Sequence, residues 1–133
     1  MVWQDILIDR KLSKAELTEA ICTVFNISTN EVLIVKSITD IEVNNSVRII
    51  CQTLATCTTF ELLLSIFIRD ELLVPSNDVL VISRFCELLK CTVLMSDDSE
   101  NPHSMLLVKG IKTIERISIN LEDYENVTEI ELQ

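Results

Sequence analysis

The chain contains the stretch Phe60-Glu61-Leu62-Leu63-Leu64-Ser65-Ile66-Phe67-Ile68-Arg69. Its alternate positions are wholly apolar on one side, at residues 60, 62, 64, 66 and 68, whereas Glu61, Ser65 and Arg69 mark the other side. Because successive side chains of a strand point to opposite faces, this pattern predicts a β-strand with one buried face. We expect a central strand that packs against helices.

Two helices are predicted, one on each side of this strand in the sequence. Ser13-Lys14-Ala15-Glu16 is a capping box, and apolar residues then recur at three- and four-residue steps, which predicts a helix over residues 14–25. Pro75-Ser76-Asn77-Asp78 is typical of a second helix start, with Ser76 or Asn77 as the cap. The broad apolar face that follows extends this helix to Lys90.

Six further segments have strand character, at residues 5–9, 31–36, 47–54, 92–95, 104–108 and 111–119. The resulting order is β-α-β-β-β-α-β-β-β, and residues 121–131 are a candidate for a short final strand. This order predicts an α+β fold in which two helices pack on a mainly antiparallel sheet. The length of 133 residues suits a single globular domain, 1–133.

Charge is the feature that says most about partners. Twenty-one acidic residues against eleven basic ones give a formal net charge of −10, in a chain that is 48% hydrophobic and therefore expected to fold. The basic residues are dispersed and outnumbered, so a nucleic acid would be repelled. The same field attracts a basic protein and accelerates its encounter with the chain.

Several kinds of site are absent from the sequence. A single glycine leaves no Gly-rich loop for a phosphate, and the five cysteines form no C-x-x-C pair, which predicts reduced thiols packed in the core. Neither an export signal nor an apolar run long enough to span a membrane is visible, so we expect a cytoplasmic protein. No cofactor and no metal ion are expected.

The candidates for catalysis each have a simpler interpretation. His103 and a cysteine are the residue types of a nucleophile and its base, but no thiol is near it in sequence, so we interpret it as a loop residue. Asp97, Asp98 and Glu100 carry oxygens suited to a hard cation, but their spacing favours a solvated acidic hairpin loop. Trp3 is either an interface anchor or a residue that seals one edge of the core. We therefore do not expect an enzyme.

A resemblance to a known family begins in the second helix. The segment Phe85-Cys86-Glu87-Leu88-Leu89-Lys90-Cys91-Thr92-Val93-Leu94, then Asp97-Asp98-Ser99 and Asn101-Pro102, then Ser104 and a Leu-Leu-Val strand, resembles small α/β immunity proteins of bacterial polymorphic and contact-dependent toxin systems. The resemblance implies a cytoplasmic inhibitor that covers an essential surface of a basic cognate toxin. The residues expected to contact that toxin are Asp97, Asp98, Glu100, His103, Glu122, Asp123 and Glu125.

Three alternatives remain open at this point. The element order is similar to that of dimeric specificity chaperones of bacterial secretion systems, which would require a homodimer with apolar grooves. A small enzyme that uses the Asp97-Asp98-Glu100 loop with a metal ion is another hypothesis. The third is a soluble protein with no charged partner, because net charge bears on solubility as well as on binding.

Overall fold

The structure is a computed structural model that describes residues 2–36, 43–56, 58–96, 104–110 and 113–118. Its elements, in chain order, are β1 (Val2–Ile8), α1 (Lys14–Phe25), β2 (Val32–Val35), β3 (Ile49–Ala55), β4 (Leu62–Ile68), α2 (Asp78–Leu89), β5 (Val93–Ser96), β6 (Ser104–Gly110) and β7 (Thr113–Ser118). Short 3-10 turns at Thr29–Glu31 and Glu71–Leu73 precede β2 and α2. The predicted α+β class and element order are confirmed, and the proposed final strand at 121–131 lies outside the described residues.

The strands form one seven-stranded sheet in the order β2-β3-β4-β1-β5-β6-β7. Five of the six neighbouring pairs are antiparallel, and β2 and β3 are parallel. The predicted central strand, β4, is an interior strand, while β1 occupies the middle of the sheet. Because β2 and β3 are parallel, the chain enters both strands from the same end of the sheet.

The helix boundaries follow from local capping. The Ser13 hydroxyl accepts from the backbone N–H of Glu16, and the Glu16 carboxylate accepts from the N–H of Ser13, so the capping box is complete. Asn77, rather than Ser76, caps α2 by accepting from the N–H of Leu80 at 3.1 Å. The predicted limits of both helices are therefore confirmed to within one residue.

Both helices end in the same way, on a residue with a left-handed backbone. Asn26 has φ 56° and Lys90 has φ 50°. The carbonyl of Cys22 accepts from the N–H groups of Asn26 and Ile27, as in a Schellman motif. The carbonyl of Cys86 accepts in the same way from the N–H groups of residues 90 and 91. Glycine is the usual residue here, and this chain has one glycine, at position 110.

The main core lies between the two helices and one face of the sheet. Leu17 and Ile21 of α1, and Ile82 and Phe85 of α2, are at most 2% exposed and contact inward-pointing strand residues. Those strand residues alternate along each strand and include Ile6, Ile8, Ile34, Ile49, Leu64, Ile66, Val93 and Val108. Their burial explains why alternate positions of these strands are apolar.

The predicted alternation of apolar residues over positions 60–68 is wrong at Phe60. Phe60 precedes β4 and packs on the face of the sheet opposite the helices, with Leu7, Leu94, Leu107 and Ile117. Its carbonyl accepts from the hydroxyls of Thr56 and Thr58, which hold this residue in a turn. The strand pattern therefore begins at Leu62, and Phe60 seals a smaller second core instead.

The first strand is longer than predicted, because it begins at Val2 rather than Asp5. Its pairing with β4 shifts between Val2 and Gln4, which is a β-bulge at Trp3. Trp3 packs against the main core and meets the ring of Phe25 edge-on, with ring centroids 5.6 Å apart. Of the two interpretations of Trp3, the structure supports the one in which Trp3 seals an edge of the core.

Candidate functional site

The seven residues predicted to contact a partner all lie outside the described residues: Asp97, Asp98, Glu100, His103, Glu122, Asp123 and Glu125. What the structure does describe is where the chain segments that carry them leave the sheet. Residues 97–103 connect β5 to β6, and residues 119–133 follow β7. The geometry of the site is therefore defined here by the ends of these three strands.

The two segments leave the same end of the sheet. β5 and β6 are antiparallel, with Ser96 opposite Met105, and β6 and β7 are antiparallel, with Ser104 opposite Ser118. The end of β5, the start of β6 and the end of β7 are therefore neighbours. We call this edge, defined by Ser96, Ser104 and Ser118, the acidic end of the sheet.

The net charge is distributed unevenly between the described residues and the rest. The described residues contain ten of the eleven basic residues and eleven of the twenty-one acidic ones, which leaves them at −1. The remaining residues contain ten acidic residues and Lys112, a net of −9. Eight of those ten acidic residues belong to the two segments that leave the acidic end, and Asp40 and Glu42 belong to residues 37–42.

The opposite end of the sheet carries exposed lysines. Lys11 follows β1, Lys36 follows β2, Lys90 precedes β5, and Lys109 lies near the end of β6. Strand directions place all four at the end away from Ser104 and Ser118. Asp9, which follows β1, and Glu61, which precedes β4, lie at the same end and offset part of this positive charge.

An ion-pair cluster lies at the same end of the sheet as Ser104, across the strands on the β2 side. The Arg48 guanidinium contacts the Glu31 carboxylate at 3.0 Å and the Asp70 carboxylate through two nitrogens at 2.9 Å and 2.7 Å. The backbone of Arg48 also bonds, through its N–H to the carbonyl of Glu31 and through its carbonyl to the N–H of Arg69. These contacts tie the start of β2, the start of β3 and the end of β4 together.

The cluster shifts the pKa values of its carboxyl groups. The backbone N–H of Ser28 first, and then the Ser28 hydroxyl and Arg48, lower the pKa of Glu31 from 4.5 to about 2. The N–H of Leu72, followed by Arg48, lowers the pKa of Asp70. Both carboxylates are therefore ionised at neutral pH, and they neutralise Arg48.

An open polar cleft of about 810 Å³ borders this cluster, between Asn30 and Asn45 on one side and Arg69 and Glu71 on the other. Arg69 donates to the carbonyls of Asn44 and Val47, both at 3.1 Å. The charged side chains that line the cleft are two arginines, Arg48 and Arg69, and three carboxylates, so the cleft has no net positive charge to offer an anion. None of the cleft residues is a histidine or cysteine, so it offers no thiol or imidazole as nucleophile or base.

The described cysteines are free thiols placed as core residues. Cys51, Cys86 and Cys91 are buried, and Cys22 is half-buried. Burial raises the pKa of the Cys51 thiol to about 12. A hydrogen bond with Cys91, and then burial, raise the pKa of Cys86, whose thiol donates to the carbonyl of Val108. Such thiols are poor nucleophiles at neutral pH, and the predicted core packing is confirmed for these residues. Cys57 lies outside the described residues.

The described part of the chain contains neither a candidate metal site nor a membrane-spanning helix. Residues 2–36, 43–56, 58–96, 104–110 and 113–118 contain no group of three His, Cys, Asp or Glu side chains able to hold a metal ion. The Asp97-Asp98-Glu100 loop and His103 are outside those ranges, so the metal hypothesis for them stays a prediction. No helix among the described residues is long and apolar enough to cross a bilayer.

Two structural residues were missed by the sequence reasoning. Arg48 was placed on a strand without its carboxylate partners, which lie 17 and 22 residues away in sequence. Asp78 belongs to the predicted start of the second helix, but it also accepts from the Trp3 indole at 3.2 Å and from the Gln4 amide at 3.0 Å. Neither relationship has a local sequence signal, because both depend on which strands become neighbours.

Comparisons with protein-family models, with curated proteins and with solved structures found no match to this chain.

Proposed function

We propose that the protein is an acidic protein-binding module, an immunity-type inhibitor that neutralises a basic cognate toxin in the cytoplasm. The observation that carries the proposal is the distribution of charge. The described fold is nearly neutral, whereas the two segments that leave the acidic end contain eight acidic residues and no Lys or Arg. A basic partner would be attracted to that end and would be oriented by it.

The pairing of Ser104 with Ser118 supports a shared binding surface. Because the two strands are neighbours, the residues that follow Ser118 and those that precede Ser104 start about 5 Å apart. In this proposal the partner contacts Asp97, Asp98, Glu100 and His103 together with Glu122, Asp123 and Glu125. The free thiols among the described cysteines agree with a reducing compartment.

The test is capture of the partner from the native cells. The tagged chain is incubated with a lysate at low salt, the bound protein is eluted with a salt step, and the eluate is identified by mass spectrometry. We expect one stoichiometric basic protein whose toxicity is lost when the chain is bound. Binding should weaken as salt shortens the Debye length from about 30 Å at 0.01 M to about 8 Å at 0.15 M.

Two results would contradict the proposal. Recovery of the chain with an unfolded secretion substrate would favour the dimeric chaperone, especially if the free chain is a homodimer. Recovery of the chain alone under these low-salt conditions would favour a soluble protein with no charged partner.

A further inference from the structure

The sheet face opposite the helices is closed over one half and open over the other. On β1 and β5–β7, Phe60 packs with Leu7, Leu94, Leu107 and Ile117, each at most 7% exposed. On β1–β4, most apolar side chains on the same face remain exposed or half-buried, including Leu54 at 59% and Val2 at 38%, whereas Ile50 is buried. We call the second half the open face, and it consists of Val2, Asp5, Leu33, Val35, Ile50, Gln52, Leu54, Leu63, Ser65 and Phe67.

Strand pairing arranges the open face in three rows. Leu33, Ile50, Phe67 and Val2 are successive partners across the four strands and form an apolar row. Leu7, Leu63 and Leu54 are partners in register across β1, β4 and β3, and they form a second apolar row. The middle row contains Gln52, Ser65 and Asp5 in register, with Val35 beside Gln52 at its β2 edge. A polar row therefore separates two apolar ones.

Asp5 gives the open face its charge. It is the one charged residue within strands β1–β4, all of which lie in the described part of the chain. Its side chain is exposed and makes no hydrogen bond or ion pair with another described residue. An isolated carboxylate between apolar rows is matched by a cation that arrives with apolar neighbours.

Charge complementarity discriminates between the occupants that this face can have. Residues 119–133 contain five acidic residues and no basic one, so Asp5 would repel them. A second copy would bring another Asp5 and a further net charge of −10. A basic partner is the occupant whose charge is opposite to that of the face.

We propose that the open face is a docking surface for a protein segment that presents a Lys or Arg side chain between apolar side chains. The cation would pair with Asp5 beside Ser65, and the apolar side chains would cover the rows that contain Phe67 and Leu63. The proposal deepens the proposed function, on which it rests, because it gives the basic partner a second contact surface of defined chemistry.

The test uses a short synthetic peptide of alternating leucine and lysine as the probe, with an alanine–lysine peptide of equal charge as its control. Each is titrated into the full-length protein at about 0.15 M salt and followed by amide and methyl NMR. We expect the leucine peptide to bind more tightly, with shifts centred on Val2, Leu54, Leu63 and Phe67. Leu54→Ala should weaken binding by about tenfold, the value of one buried leucine side chain, and Asp5→Asn by at least about threefold.

Two control variants test whether the leucine peptide binds at the open face or through nonspecific attraction to the rest of the protein. Leu88→Ala removes a leucine that is 50% exposed on α2, and Glu71→Gln removes an exposed carboxylate outside β1–β4. Both variants should bind the leucine peptide as the wild type does. Equal binding of the two peptides, equal losses in the control variants, or shifts centred elsewhere in the described fold would overturn the proposal.

Two other results would identify a different occupant of the open face. Binding that appears only in a chain ending at Ser118 would show that residues 119–133 cover the face, and a dimer broken by Leu54→Ala would identify a second copy. Either result overturns the proposal. Since the probe is a peptide, failed capture from cells refutes the proposed function alone, and failed titration beside successful capture refutes the docking surface alone.

Discussion

Ser104 and Ser118 are backbone partners at the end of the β6–β7 ladder. Residues 97–103 directly precede Ser104 in the sequence, and residues 119–133 directly follow Ser118. These two segments contribute −8 of the net charge of −10. The proposed function depends on this relationship.

Removing the Asp78 carboxylate should destabilise the protein. Asp78 accepts from the Trp3 indole and from the amide of Gln4, a side chain that is only 9% exposed. Asp78→Ala leaves both donors without this acceptor, so we expect a loss of about 1–3 kcal/mol in the free energy of unfolding. Urea denaturation followed by far-UV circular dichroism measures it, because this signal does not depend on Trp3, the one tryptophan in the chain.

Two further variants identify the cause of that loss. Asp78→Asn keeps one acceptor oxygen and should lose less than Asp78→Ala. Trp3→Phe keeps most of the ring that packs on Phe25 but removes the indole donor, so Asp78→Ala should cost less in that background. Additive losses would show that the Trp3–Asp78 hydrogen bond contributes nothing.

Lys90→Gly should stabilise the protein. Lys90 has φ 50°, a left-handed conformation that costs a side-chain-bearing residue about 1–2 kcal/mol. Glycine removes that cost but loses more entropy on folding, so we expect a net gain of about 0.5–1 kcal/mol. Asn26→Gly should gain less, because asparagine tolerates this conformation well. Thermal or urea unfolding measures both, and an equal gain from Lys90→Ala would contradict the explanation.

Acid should weaken the protein through Glu31. The pKa of Glu31 in the folded protein is about 2, below its ordinary 4.5, so its contribution to stability is complete above pH 4.5 and is lost as the pH falls toward 2. Glu31→Gln should therefore show a smaller decrease in unfolding free energy across this range. Asp70 and Glu16, whose pKa values are also lowered, account for a remaining slope. Identical slopes in variant and wild type would contradict this assignment.

Alkylation of the native protein should distinguish the cysteines. At neutral pH, iodoacetamide should modify half-buried Cys22 faster than Cys51 or Cys86, because the last two are buried from the reagent. The pKa values of all three thiols are raised, with burial as a cause in each, so access to the reagent decides the order. Peptide mass spectrometry after timed quenching gives the rates. Rapid modification of Cys51 in the folded protein would contradict its placement in the core.

Features determined by local sequence were predicted well. The capping box at Ser13 and Glu16 and the Asn77 cap depend on residues three positions apart, so the helix limits could be derived from the chain alone. Features determined by long-range pairing were not. The bulge at Trp3, the side of the sheet on which Phe60 lies and the carboxylate partners of Arg48 all depend on which strands become neighbours.

The same difference between local and long-range features applies to the candidate site. Its acidic residues could be named from composition, but their grouping could not, because the register of Ser104 against Ser118 is a tertiary feature. The open face was also missed. In the sequence, the polar residues Ser65 and Arg69 distinguish this side of the strand from the buried side. In the structure, Leu63 and Phe67 make the same side of β4 largely apolar.

The most direct test of the central claim is capture of the native partner by two charge variants that differ only in where the charge is removed. One variant neutralises the loop, with Asp97→Asn, Asp98→Asn and Glu100→Gln. The other removes the same charge from the described fold, with Glu19→Gln, Glu61→Gln and Glu71→Gln. We predict that the loop variant loses the basic partner at about 0.15 M salt while the fold variant retains it. Equal retention or equal loss by the two variants would contradict the claim that the partner binds at the acidic end.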